Sequence, residues 1–169
     1  MVHSVTVTLK KWYSQLVFTF FPIYRLRKSG ATVGRNVFIG DGVYVELENA
    51  RYLSISNDVV VSAFCKIILH DSSLNNVAGE DVLYGEVHLK SRCYIGANTT
   101  ILPGSVVGEN TIVGAHSLVK GILKANSVYA GVPAKYISSI QEMKIKWAEK
   151  KALAHDNDLI TFKQTKRAK

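Results

Sequence analysis

The stretch that decides the fold runs from residue 89 to residue 118 and divides without remainder into six-residue words. These words are Leu89-Lys-Ser-Arg-Cys-Tyr, Ile95-Gly-Ala-Asn-Thr-Thr, Ile101-Leu-Pro-Gly-Ser-Val, Val107-Gly-Glu-Asn-Thr-Ile and Val113-Gly-Ala-His-Ser-Leu. Each word begins with an aliphatic residue, has a small fifth residue, and mostly carries a fourth residue that tolerates positive φ, with Arg92 as the unfavourable exception. The period predicts short parallel strands joined by corners, three to a coil, in a triangular prism whose first and fifth side chains point inside.

Earlier hexads extend the repeat towards the N-terminus. They begin at Val33, Ile39 and Val45 and, after four extra residues, at Ile55, Val61 and Ile67. Sixteen extra residues, 73–88, then precede the main array. Because both interruptions follow the third hexad of a coil, both loops are predicted to leave the prism at the same corner. The small fifth residue is replaced only there, by Asn49 and Asp71, and Asn49 is expected to bond the loop backbone.

After Val119 the repeat shifts phase and continues with hexads at Leu123 and Tyr129. A helix is predicted next, since Ser139 and Glu142 have the spacing of a capping box. Its residues Ile140, Met143 and Trp147 lie on one helical face. We expect this helix to cover the last coil, because a parallel coil exposes strand edges at both ends.

The pattern, together with Asn126-Ser-Val-Tyr-Ala-Gly-Val-Pro-Ala-Lys-Tyr-Ile137, resembles the hexapeptide-repeat acyltransferases, in particular sugar O-acetyltransferases. The resemblance implies an all-β fold, a left-handed parallel β-helix, and a homotrimer. It divides the chain into an N-terminal arm or helix (1–32), the β-helix acyltransferase domain (33–137) with its loop 73–88, and a C-terminal helix with a basic tail (138–169).

Composition bounds the partners. The chain has 169 residues, 47% of them hydrophobic and 20% charged, which suits one globular domain. A net charge of +8 indicates an anionic partner, namely nucleic acid, a phosphorylated cofactor or an anionic membrane. Much of the charge lies in the tail 163–169, and no motif of nucleic-acid recognition is present, so nucleic acid is not expected.

Both cysteines, Cys65 and Cys93, occupy the fifth, inward position of a hexad on different faces of the prism. Free buried thiols are therefore expected, and nothing calls for an oxidising compartment. The chain also lacks a secretory cleavage pattern. These features favour a cytoplasmic protein.

Residues 12–24 form an uncharged, aromatic run with basic residues on either side, too short to span a bilayer as a helix. Two interpretations remain open. The run is either a cap over the open end of the β-helix, or an interfacial anchor through which residues 10–28 contact an anionic membrane.

His70 is the predicted catalytic residue. It stands at a corner, at the mouth of loop 73–88, and the pair with Asp71 is similar to the His-Asp-type signature of the acyltransferase family. An imidazole suits a general base because its pKa lies near neutrality. The alternative is that His70 is only a turn residue in a left-handed conformation. His116 is interpreted first as a corner residue of the prism, and the alternative is that it contacts the cofactor.

Loop acids surround this position. Asp71, Glu80, Asp81 and Glu86 are expected to be solvated charges. The alternative is that one of them orients His70 or binds a cationic or hydroxyl-rich acceptor.

The resemblance also implies a coenzyme A thioester as donor, held along a groove between coils of two subunits. By position, the N–H of Ala97 would face the thioester oxygen, and Ala115 and Ser117 would line the pantetheine groove. The remaining positions implied for the cofactor are Pro133, Ala134 and Lys135 near the adenine and its phosphate, and Lys120, where the family often has Thr, as a phosphate contact.

These features favour an acetyl-CoA-dependent O-acetyltransferase for a sugar hydroxyl of a surface polysaccharide or its precursor. The alternatives are N-acetylation of a nucleotide-linked amino sugar and a non-enzymatic scaffold subunit. A zinc enzyme on this fold is disfavoured, because the histidines do not include the close pair that such a site needs. The coil count places His70 and Ala97 on different edges of the prism, so the site is predicted to be shared between two subunits.

Overall fold

The computed structural model describes residues 21–156; the remainder of the chain, with the basic tail 163–169 and residues 12–20 of the aromatic run, lies outside the described residues. The described part is a left-handed parallel β-helix with three flat faces. The first face contains β1 (Thr32–Val33), β4 (Leu53–Ile55), β9 (Val87–Leu89), β12 (Val106–Val107) and β15 (Ile122–Leu123). The second contains β2 (Phe38–Ile39), β5 (Val60–Val61), β10 (Tyr94–Ile95), β13 (Ile112–Val113), β16 (Ser127–Ala130) and β17 (Lys135–Ser139). The third contains β3 (Tyr44–Val45), β6 (Lys66–Ile67), β11 (Thr100–Ile101) and β14 (Leu118–Val119).

The strand register confirms the count of three hexads per coil. Val33 pairs with Ile55, which pairs with Leu89, and Val107 continues the same column. These aliphatic first residues are 9% exposed or less and form the core. The small fifth residues are buried as predicted: Cys65, Cys93, Thr99, Ser105, Thr111 and Ser117.

The corners carry the fourth residues in the left-handed region. Positive φ occurs at Asn98 (58°) and Asn110 (54°), but also at Arg92 (57°), against the expectation for this residue. Arg92 Nε donates to Asn110 Oδ1 at 2.6 Å, and its guanidinium forms an ion pair with Glu109. Contacts with the next coil thus accompany a conformation that costs roughly 1–2 kcal/mol in isolation.

The coils also approach too closely for a side chain at some second positions. A Cβ on Gly96 would lie 2.4 Å from Ala115 N in the next coil. Glycine is therefore required there by inter-coil packing.

Both interruptions leave the prism after the third face, as predicted. The first is a 3-10 helix (Leu47–Tyr52), in which Asn49 donates its backbone N–H to Glu46 O at 3.0 Å. The second is an excursion made of β7 (His70–Asp71), α2 (Ser73–Ala78) and β8 (Leu83–Tyr84), with β7 antiparallel to β8. Asp71 occupies the fifth position of its hexad, but its side chain is exposed and does not point into the prism. The reason is that the chain has already left the prism at this residue.

The N-terminal end is covered by α1 (Phe21–Lys28). Leu26 is 3% exposed and Ile23 packs against the core. Arg27 Nη2 donates to Val33 O at 2.8 Å and Gly34 O at 2.9 Å, which ties the helix to the first coil. No helix within residues 21–156 combines the length and the apolar composition needed to cross a bilayer.

The C-terminal end differs from the expectation in one respect. The capping box is present, since Ser139 N donates to Glu142 Oε2 at 2.7 Å and Glu142 N to Ser139 Oγ at 3.1 Å. However, on the predicted apolar face of α3 (Ile140–Asp156) Ile140 and Met143 are partly buried but Trp147 is 53% exposed, so only the start of the helix lies against the last coil. The antiparallel strand β17 pairs with the edge of β16 instead.

The buried thiols generate a prediction. Burial raises the pKa of the Cys93 thiol to about 12 and raises that of Cys65 as well. Because the thiolate is the reactive form, neither cysteine should react with an aromatic disulfide reagent at pH 8 in the folded protein. Denaturation should release two thiols per chain, and a Lys90→Cys variant, with its new thiol on the surface, should react at once. Rapid labelling of a native cysteine would contradict the described burial.

Candidate active site

The His70 imidazole is held by a buried carboxylate from the preceding coil. Its Nδ1 lies 2.7 Å from Glu46 Oε2, and the side chains are 33% and 5% exposed respectively. Leu69 N donates to the same oxygen at 3.0 Å. The carboxylate is therefore fixed by the backbone as well as by the ring.

This contact determines what His70 offers to solvent. A carboxylate accepts hydrogen bonds, so the ring nitrogen that faces Glu46 carries the proton. The other nitrogen, Nε2, then keeps its lone pair, which is the arrangement of a general base.

Glu46 is not among the residues predicted from the sequence, and it is 24 positions from His70. The coil register contained part of the signal: Val45 pairs with Ile67, so Glu46 lies beside Ile68, two positions before His70. Glu46 also stands at a second position, which is Gly in the two preceding hexads. An acidic residue at the second position of a hexad, one coil before the predicted base, is the sequence feature that could have identified Glu46 as the partner of His70.

Asp71, the second predicted catalytic residue, is bonded to Ser73 and not to the His70 ring, so its carboxylate does not orient the imidazole in this structure. Its Oδ1 accepts a hydrogen bond from Ser73 N at 2.9 Å. Hydrogen bonds from the side chain and the backbone of Ser73 lower the pKa of the Asp71 carboxyl. The reason is geometric: successive side chains of a strand point to opposite sides, so Asp71 faces away from its neighbour.

The other loop acids do not orient His70 either. Glu86 Oε2 lies 2.9 Å from His88 Nε2 on the first face, and Glu80 and Asp81 are exposed. In the part of the chain that the structure describes, the carboxylate bound to His70 is that of Glu46.

The excursion holds His70 in place from the other side. His70 pairs with Tyr84 across the two strands, and their ring centroids are 6.1 Å apart. Gly85 N donates to Leu69 O at 3.1 Å. A Cβ on Gly85 would lie 2.5 Å from Gly104 N, so the returning chain packs closely on the next coil.

The candidate groove residues meet at another corner, between the second and third faces. His116 N donates to Ala97 O at 2.8 Å, Ala115 is exposed, and His116 has a φ of 56° as a corner residue. Ser117 is buried, and its Oγ donates to Gly114 O at 2.7 Å. The Ser117 hydroxyl also accepts a hydrogen bond from Gly131 N at 3.1 Å, so it is bonded both within its own coil and to the next one.

Pro133 and Lys135 follow this corner in the next turn and are exposed. Ala134 N donates to Leu118 O at 2.8 Å, which keeps the segment against the corner. Lys120 lies at a different corner from Pro133 and Lys135. It follows β14 at the same prism corner as His70. Because β14 is two coils beyond β6, Lys120 is displaced from His70 by about 10 Å along the prism axis.

Within residues 21–156, no group of three or more His, Cys, Asp or Glu side chains is arranged to hold a metal ion.

A family model and two curated relatives match this chain. The model of the family "Bacterial transferase hexapeptide (six repeats)" matches residues 86–121. A protein of Escherichia coli K12 named for lipopolysaccharide biosynthesis O-acetyl transfer, WbbJ, is 30% identical over 122 residues, covering 62% of this chain and 61% of the relative. The colanic acid biosynthesis acetyltransferase WcaF of the same organism is 26% identical and covers 79% and 82%.

Among solved structures, the hexapeptide-repeat acetyltransferase VCA0836 of Vibrio cholerae aligns with a TM-score of 0.54. The two proteins are 16% identical, and the alignment covers 68% of this chain and 77% of that one. This likeness shows the fold. The chain spans about three fifths of the length of the lipopolysaccharide relative.

The Glu46 contact yields a spectroscopic prediction. In Glu46→Ala, Leu69 N–H and His70 lose their acceptor, so the free energy of unfolding should fall by about 1–3 kcal/mol. The ring should also shift from the Nδ1–H towards the Nε2–H tautomer, as read from long-range proton–nitrogen correlation spectra of His70. Asp71→Asn is the matched control and should keep the Nδ1–H form. A tautomer change in the control and not in Glu46→Ala would refute the assignment.

Proposed function

We propose that this chain, which carries the repeat of the bacterial hexapeptide transferases, is an acetyl-CoA-dependent O-acetyltransferase acting on a sugar hydroxyl. The observation that carries the proposal is the His70 imidazole, held through Nδ1 by the buried Glu46 and open to solvent at a prism corner. The names of two relatives, which refer to acetyl transfer in lipopolysaccharide and colanic acid biosynthesis, support this reaction class and the sugar acceptor.

His70 acts as the general base in this proposal. Its Nε2 accepts the proton of the acceptor hydroxyl while the oxygen forms its bond to the acetyl carbon. The acetyl group comes from the co-substrate acetyl-CoA: its carbon–sulfur bond breaks, and His70 returns the proton to the leaving thiolate, which gives free coenzyme A. Glu46 keeps the ring oriented and stabilises the imidazolium that exists between the two proton transfers.

The corner of Ala97 and Ala115 suits the donor. Small side chains at the third positions allow an extended thioester arm to lie close to the backbone. Within residues 21–156 the Ala97 N–H has no backbone hydrogen-bond partner, so it is free to donate to the thioester oxygen as charge develops there. In this proposal Lys135 and Pro133, which are exposed beside the same corner, contact the nucleotide end of the cofactor.

The two halves of the site lie on different edges of one prism. His70 leaves the corner after the third face, whereas Ala97 belongs to the corner before it. We therefore infer that the protein works as a homotrimer, in which the His70 edge of one subunit faces the Ala97 edge of its neighbour. Lys120, on the His70 edge, would then contact a cofactor bound at the neighbour's groove.

Removing the base should abolish turnover. His70→Ala should reduce kcat by about 100-fold or more, because the base acts mainly in the transition state. Thermal stability and coenzyme A affinity should remain close to those of the original protein. Turnover is followed by thiol release from acetyl-CoA with a panel of sugars, nucleotide sugars and amino sugars, which also separates O- from N-acetylation. His88→Ala removes an imidazole that is placed on the first face and should stay active; a fully active His70→Ala protein would dismiss His70 as the base.

A shared site predicts complementation between inactive variants. His70→Ala and Ala97→Trp, carrying different tags, are refolded together and the doubly tagged trimers are purified. Every mixed trimer contains one site with an intact His70 and an intact Ala97, so activity should return in the mixture. Each variant refolded with itself serves as the control. Mixed trimers as inactive as their parents would show that the site is not shared in this way.

A further inference from the structure

Three side chains extend in a row from His70 along the corner, and the proposed proton transfer uses none of these three. The Tyr84 ring lies 6.1 Å from the His70 ring, and the Tyr52 ring is stacked on Tyr84 at 5.6 Å with an interplanar angle of 28°. The Arg51 guanidinium lies over the Tyr52 ring at 4.7 Å from its centroid. We call these four residues the corner row.

The corner row is assembled by the two interruptions of the repeat. Arg51 and Tyr52 are at the end of the 3-10 helix, and Tyr84 belongs to the returning strand of the excursion. Both segments leave the prism at the same corner in successive coils, which brings their aromatic rings into contact. The stack is partly open to solvent, because Tyr84 is 46% exposed and Arg51 is exposed as well.

Arg51 is positioned but not neutralised. The ion pairs within residues 21–156 are those of His70 with Glu46, His88 with Glu86, and Arg92 with Glu109. Arg51 instead donates from Nη2 to Tyr52 OH at 3.3 Å and rests on the same ring. A guanidinium held in this way presents a fork of donors that matches the two oxygens of a carboxylate or a phosphate.

The charges along the corner row decide which end receives an anion. Glu46 and Asp71 lie at the His70 end, so a second anion there would be repelled. Arg51 stands at the other end, separated from His70 by the rings of Tyr84 and Tyr52. An acceptor whose hydroxyl reaches His70 therefore carries its negative group at a distance, as an oligosaccharide or a substituted sugar does.

We propose that the corner row is the acceptor subsite, and that the acceptor is an anionic saccharide whose carboxylate or phosphate binds Arg51 while its rings lie along Tyr84 and Tyr52. This inference rests on the proposed function for the role of His70. Tyrosine edges offer apolar surface and a hydroxyl to a sugar, and the salt-bridge partner that Arg51 lacks in the described chain is supplied by the ligand.

The test measures saccharide binding directly by calorimetry and by chemical-shift titration, before any turnover. The probes are a disaccharide ending in glucuronic acid, its neutral glucose counterpart, and the neutral disaccharide carrying a phosphate. The native chain should bind one or both acids about 10-fold or more tightly than the neutral sugar. Arg51→Met, which keeps a side chain on the Tyr52 ring, should remove that preference and leave neutral binding unchanged, whereas Arg51→Lys should restore part of it.

Arg35→Met, which removes an exposed cation at another corner, is the matched control and should retain the preference. The acid with the larger Arg51-dependent preference identifies the anion as carboxylate or phosphate. Equal binding of acidic and neutral sugars, or a preference that survives in Arg51→Met, would overturn the subsite.

Turnover separates this inference from the proposed function. In thiol-release assays, Arg51→Met should raise KM for the acidic acceptor with little change in kcat. Arg51-dependent binding without acetyl transfer to any acceptor would leave the subsite standing and reject the proposed function. Transfer to the acidic acceptor that is as efficient in Arg51→Met as in the native chain would leave the proposed function standing and reject the subsite.

Discussion

Hydrogen bonding between successive coils is the constraint on which the rest of this structure depends. Most strands of the prism contain only two residues, so each is too short to persist without the strands above and below it. Parallel pairing holds the coils at about 4.8 Å, and this spacing leaves no room for a Cβ at Gly96. The same spacing stacks the corner residues, so that Asn110 meets Arg92 of one neighbouring coil and Asn126 of the other.

A rigid prism of this kind leaves variation to the places where the chain departs from it. The two departures occur at one corner, and together they supply His70, its buried partner Glu46, and the tyrosines that stack beside the ring. The other corners keep the repeat, with small residues such as Ala97 and Ala115 that leave the backbone accessible. The fold therefore separates a polar, aromatic edge from a smooth edge, and a chemistry that needs both edges favours assembly of several chains.

The charged residues near His70 follow this division between a polar, aromatic edge and an edge of small residues. The protein is basic overall, yet the excursion carries acids, and the carboxylate that matters to His70 is buried where solvent screens it least. Arg51 restores a positive group at the far end of the same edge. An elongated ligand with one negative end matches this arrangement better than a compact anion placed at the imidazole.

The sequence by itself determined the prism, the three hexads per coil, the common corner of both loops, the burial of Cys65 and Cys93, and the Ser139–Glu142 capping box. All of these follow from spacing along the chain, because a six-residue period determines which side chains point into the core and how many residues form one coil. Only the tertiary structure decided that Arg92 takes a left-handed corner, that Asp71 turns to Ser73, that Trp147 stays exposed, and that Glu46 holds His70. These depend on which residues of different coils meet, and that is set by the inter-coil register and by the exact path of the departing chain, neither of which a local pattern contains.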